Sequence, residues 1–119
     1  MKPALSEQQI QRTVIAHLRS RGVKDLFFFH PANGGYRRRA EAAIFAGLGV
    51  VAGTPDIVLL HGGRAYGLEL KADGGKPTPV QSAAMTSMER AGTMVAHTQG
   101  LDAALVQLEA WGLLRGRAV

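Results

Sequence analysis

Apolar and polar positions along the chain switch between a helical and a strand period, and the switches mark eight elements. Ile10, Val14 and Leu18 recur at helical spacing behind Ser6-Glu7-Gln8-Gln9. Ser6 and Gln9 have capping-box spacing and Gly22 supplies the stop, which predicts a first helix of about four turns. Glu7 stands one helical step (i, i+3) before Ile10, so its side chain tends toward the protein. Residues 26–30, Leu-Phe-Phe-Phe-His, form an apolar run closed by Pro31 and read as a buried strand. After the loop at Asn33-Gly34-Gly35, a short helix is expected from about 37 to 46, with Ala43, Ile44 and the Gly47 stop as cues.

Gly53-Thr54-Pro55 reads as a turn, and Asp56 heads the apolar strand 56–60. Gly62-Gly63 has hairpin chemistry, which returns the chain as a strand over 64–71. Thr78-Pro79-Val80-Gln81 repeats the capping-box spacing with proline at the first helical position. That helix places Val80, Ala84 and Met88 on one side and stops at Gly92. A strand over 93–97 and a helix from about Asp102, burying Leu105, Leu108 and Trp111, complete the chain. The order α-β-α-β-β-α-β-α implies an α/β fold, a central mixed β-sheet flanked by helices. Its 119 residues suit a single domain, 1–119, with a core to about 114 and a tail over 115–119.

Composition narrows the chemistry. With 46% apolar and 19% charged residues the chain can build a core, and zero cysteines remove disulfides, thiolate zinc sites, iron–sulfur clusters and cysteine nucleophiles. His17, His30, His61 and His97 show no paired metal-ligand spacing. The longest apolar stretch, residues 42–55, is too short and too glycine-interrupted to span a bilayer, and no secretory segment leads the chain. The expectation is a cytoplasmic protein without a membrane partner. A net charge of +5 favours a polyanionic partner, nucleic acid above all.

The hairpin carries the chemistry. Asp56 begins its first strand, and Glu69 and Lys71 lie two apart on the second, sharing one face while Leu68 and Leu70 turn into the core. An exposed Glu-x-Lys is commonly a solvated ion pair, and an aspartate after proline commonly a turn residue. Here the charges interrupt apolar strands, where burial is costly unless function keeps them. Two carboxylates at that separation call for a hard divalent cation, Mg²⁺ or Mn²⁺, with the Leu70 carbonyl as a further oxygen ligand. Such an ion polarises a phosphate and acidifies a water, while Lys71 can hold that water and offset phosphoryl charge. Arg37, Arg38 and Arg39 open a helix against its dipole, which phosphate pairing accounts for and helix physics does not, although a solvated arginine face is the commoner outcome of such a run. Lys76, ahead of the N–H groups of the helix after Thr78, is a second phosphate candidate, and Asn33 a possible substrate contact.

These residues resemble the PD-(D/E)xK nuclease superfamily and, within it, the small stand-alone VRR-NUC domains of phages and bacteria. The resemblance runs from Glu7 and Gln11 through His30, Asn33-Gly34-Gly35, Gly49 and Gly53-Thr54-Pro55-Asp56. It continues over Leu68-Glu69-Leu70-Lys71, Gly75-Lys76, Gln81 and Gly92, without departure at these positions. It implies a restriction-endonuclease-like fold, Asp56 and Glu69 as metal ligands, Lys71 as catalytic lysine, Glu7 as auxiliary acid and Gln81 as a site-lining residue. Left to local physics, Glu7 is a helix-dipole residue and Gln81 a capping residue. The expected activity is Mg²⁺-dependent hydrolysis of DNA phosphodiesters with no small-molecule cofactor. A homodimer is expected, because so small a domain offers little surface to a large substrate. Its two sites would act on branched DNA such as the four-way (Holliday) junctions of DNA repair. The competing readings are a non-catalytic basic nucleic-acid-binding module and an interaction subunit for an acidic partner.

Overall fold

The structure, a computed structural model, describes residues 4–32 and 39–116. Eight elements follow one another in the expected order: α1 (Glu7–Arg21), β1 (Phe27–Phe29), α2 (Arg39–Gly47), β2 (Ile57–His61), β3 (Arg64–Lys71), α3 (Pro79–Arg90), β4 (Met94–Gln99) and α4 (Leu101–Ala110). The four strands form one mixed sheet in the order β1-β2-β3-β4, with β1–β2 and β2–β3 antiparallel and β3–β4 parallel. Both capping boxes form: Ser6 accepts from the Gln9 N–H and Thr78 from the Gln81 N–H, with each glutamine side chain reaching back to the cap.

One face of the sheet makes the core. Ile57, Leu59, Tyr66, Leu68 and Leu70 pack there against Ile10, Val14 and Leu18 of α1 and Leu105 and Leu108 of α4. Leu68 is fully enclosed, so truncating it to alanine should cost about 2–5 kcal/mol. The opposite face carries Gly67, Glu69 and Lys71. A Cβ on Gly67 would lie 2.8 Å from Pro55 Cγ, so the missing side chain lets the turn before β2 lie flat on β3. Gly53 makes that turn possible twice over: its φ is +79°, and a Cβ would come within 2.7 Å of the Val80 carbonyl oxygen at the start of α3.

Several sequence expectations need correction. β1 is an edge strand with only Phe28 turned to the core, leaving Phe27 63% and Phe29 43% exposed. A continuous apolar run signals two covered faces, and here one is uncovered. On α3 Ala84 is buried, together with Met85, while Val80 at the start of the same expected stripe is exposed. Trp111 is half-buried and packs against Tyr66 with the rings tilted by 44° and their centroids 5.2 Å apart. Arg115, which the sequence assigns to the tail, is fastened: its N–H donates to the Arg21 carbonyl at 2.8 Å and its guanidinium to the Ser20 carbonyl. No helix among the described residues is long and apolar enough to cross a membrane.

Candidate metal and phosphodiester site

The register of the β2–β3 hairpin decides what meets at its open end. Ile57 pairs with Leu68, so β3 runs on past the beginning of β2, and Leu70 has no strand partner on that side. The Asp56 carboxylate takes the vacant place, with Oδ2 accepting from the Leu70 N–H at 2.8 Å. In a strand the N–H and C=O of one residue point to the same edge, so the Leu70 carbonyl is directed to the side where Asp56 stands. The expected Asp56–Leu70 juxtaposition is therefore a consequence of one strand outrunning its neighbour.

Glu69 and Lys71 share the other face, as their spacing predicts. Lys71 Nζ lies 3.2 Å from Glu69 Oε2, with the residues 6% and 1% exposed. They form a buried pair, not the solvated one that exposed Glu-x-Lys sequences commonly give. The same Oε2 accepts from Gln81 Nε2 at 2.8 Å. Gln81 thus makes two contacts at once, its Oε1 accepting from the Thr78 N–H and its amide nitrogen donating to Glu69.

The electrostatics favour a cation. Burial first, then the charge of Asp56, pushes the Glu69 carboxyl up to about 7, against the pull of Lys71. Burial also raises Asp56, opposed by the Leu70 N–H and reinforced by Glu7. A pair of acids that resist ionising together is the environment a divalent ion relieves. No group of three or more histidine or acidic side chains converges among the described residues, so the donors available are two carboxylates and a carbonyl. That set suits an ion such as Mg²⁺, which keeps several waters, better than one needing a full protein cage.

Glu7, the first residue of α1, is exposed and lines a groove of about 720 Å³ together with Gln11, His30 and Asp56. His30 is a residue that sequence reasoning placed without giving it a role. Its Nδ1 lies 2.6 Å from the Asp56 carbonyl. A carbonyl only accepts, so Nδ1 carries a proton and pins the backbone at Asp56. Lys76 is exposed, on the loop between β3 and α3. Asn33, Arg37 and Arg38 lie outside the described residues, as does the side chain of Arg39, whose backbone starts α2.

The fold and site together define a small mixed α/β domain with an Asp, Glu and Lys constellation at the end of its central hairpin. Among solved structures, a "VRR_NUC domain protein" superposes on it with a TM-score of 0.72, covering 90% of this chain and 88% of its own, at 22% identity. The chain has the fold of a VRR_NUC domain, as the sequence resemblance implies. No protein-family model matches the sequence. A search of curated proteins likewise finds no match.

Proposed function

We propose that this protein is a metal-dependent DNA endonuclease of the VRR-NUC kind. The observation that carries the reading is the buried Glu69–Lys71 pair beside an aspartate whose carboxylate caps the Leu70 N–H. A core that tolerates an ammonium and two acids at one strand end gives up stability there, and chemistry on a charged substrate is the compensation. Likeness to a solved VRR_NUC domain protein adds to this reading.

In this reading Asp56, Glu69 and the Leu70 carbonyl hold Mg²⁺ or Mn²⁺. When bound, such an ion neutralises charge on the scissile phosphate and lowers the pKa of a water. Lys71, steered by Glu69, donates to the attacking water or to the phosphoryl oxygens as charge builds on them. The water oxygen forms the new bond to phosphorus and the leaving sugar oxygen departs with its electron pair and a proton, so no covalent enzyme intermediate arises. Glu7 acts as an auxiliary acid across the groove from Asp56. Gln81 fixes the rotamer of Glu69. Lys76 and Arg37, Arg38 and Arg39 contact backbone phosphates, with Asn33 at the substrate, and the protein works in the cytoplasm.

The same reading makes the protein a homodimer acting on branched DNA. Support for a dimer comes from the edge of the sheet, where Phe27, Phe29 and Leu60 leave apolar surface exposed on one face. The test is incubation of the pure protein with supercoiled, linear and four-way-junction DNA, with Mg²⁺ or with chelator. Cutting should require the metal, and Asp56→Ala or Lys71→Ala should abolish it while sparing binding. Cutting that survives both substitutions overturns the assignment, and metal-independent binding without cutting marks a binding module instead.

A further inference from the structure

We infer that the outer face of α1 carrying Arg12 and Arg19 is a second phosphate-binding subsite, a track for the nucleic-acid strand as it leaves the metal site; this rests on the nuclease reading above. Arg12 and Arg19 line the same groove as Asp56 and His30. Both are exposed, and neither guanidinium has a carboxylate or hydrogen-bond partner among the described residues. Arg21, two residues beyond, shows the contrast: its guanidinium is spent on Glu109, His17 and the Arg115 carbonyl. Arg12 stands in the body of the helix, where a positive charge gains little from the dipole.

Spacing supports a strand as the occupant. The two arginines stand seven positions apart, which puts them on one face and about 10.5 Å apart along the axis. At about 3.4 Å of rise per nucleotide that distance spans roughly three nucleotides. Ile15 lies between them on the groove wall, half-buried, and offers an apolar surface to a sugar or base. The groove therefore joins an acidic end that attracts a metal to a basic end that attracts phosphate, and a phosphodiester strand is the ligand that satisfies both. Among polyanions, an acidic peptide would satisfy only the basic end.

The experiment uses the full chain with Asp56→Asn, which cannot cut, and measures anisotropy of labelled duplex DNA between 50 and 200 mM salt in chelator. Combining Arg12→Ala with Arg19→Ala should lower the slope of log K against log salt by about 1.8, about 0.9 for each phosphate that is no longer neutralised. Arg64→Ala, on the exposed start of β3, should leave it unchanged. In the cutting-competent protein, shortening the duplex by about three nucleotides on one side of the cut should reduce kcat/KM as the double substitution does. The two reductions should not add. An unchanged slope, or additive reductions, with cutting still abolished by Asp56→Asn, overturns the track and leaves the nuclease. A wild-type protein that neither binds nor cuts DNA overturns both.

Discussion

The amide of Gln81 bridges the backbone of Thr78 and the carboxylate of Glu69, with Oε1 on the Thr78 N–H at 2.9 Å and Nε2 on Glu69 Oε2 at 2.8 Å. One side chain closes the start of α3 and aims the buried acid at the same time. The two jobs separate by mutation. Thr78→Ala should remove about 1 kcal/mol of helix stability and leave the Glu69 hydrogen bond and cleavage nearly intact. Gln81→Ala should cost a similar amount of stability and, in addition, lower metal affinity and cleavage by about 10–100-fold, the usual effect of losing a ligand's supporting partner. Thermal unfolding beside titration of cleavage with Mg²⁺ distinguishes them; equal activity in the two variants removes Gln81 from the site.

Gly75 gives Lys71 its room. A Cβ there would lie 3.3 Å from Lys71 Cβ and 3.1 Å from the Ala72 carbonyl oxygen. Across the β3–β4 register Gln99 fastens this loop, its Nε2 donating to the Gly75 carbonyl at 2.7 Å. Gly75→Ala should therefore displace the ammonium and reduce kcat by about tenfold with DNA affinity little changed. Gln99→Ala should act in the same direction and less than additively with it. Gly47→Ala, where an added Cβ meets nothing within 4 Å, is the matched control. Full activity in Gly75→Ala would show that the lysine tolerates displacement.

The order of elements and the Asp56, Glu69 and Lys71 constellation were legible because local signals fix them. The capping boxes at Ser6 and Thr78 start two helices, and the Gly62-Gly63 turn sets the register that brings the three side chains together. What sequence missed depends on neighbours distant in the chain. β4 continues through Thr98 and Gln99, polar residues without a strand signal, because Leu70 and Lys71 offer them partners. Phe27 and Phe29 read as buried, but nothing in their own sequence says that β1 lies at an edge. His30 against the Asp56 carbonyl, and Arg12 and Arg19 along the groove, follow from how α1, the end of β1 and the start of β2 come together around it. Histidine spacing and charge runs carry no trace of that docking.

Arg21 ties the last described residues to α1. It donates to Glu109 Oε1 at 2.9 Å, to His17 Nδ1 at 3.1 Å and to the Arg115 carbonyl. Glu109 is exposed, which limits what the ion pair itself contributes. Arg21→Ala should destabilise the protein by about 1–2 kcal/mol through the missing hydrogen bonds. Arg21→Lys should recover little, since a point charge cannot reproduce the fork. Cleavage per folded molecule should not change in either variant, which denaturant melts paired with specific activity will check.

The raised carboxyl of Glu69 makes stability depend on pH in a direction opposite to that of an ordinary salt-bridged acid. Its pKa is about 7 in the fold against an ordinary 4.5, so between those values the native protein keeps a proton that the unfolded chain has released. Folding is favoured by proton binding throughout that window. The contribution is therefore lost as pH rises from 4.5 to about 7 and is constant above it, on the order of 3 kcal/mol at most. Asp56, also raised, adds to the same trend from its ordinary 3.8 upward. A cation at the site favours the ionised forms and reverses the trend, so Mg²⁺ should raise Tm at pH 8 more than at pH 5 and release protons on binding near pH 7. Tm against pH in chelator, for the wild type and Glu69→Gln, isolates the effect: the difference between the two curves should change across this window. Parallel curves would mean that Glu69 is ionised in the metal-free fold, and the case for a cation built on its burial would fall with them.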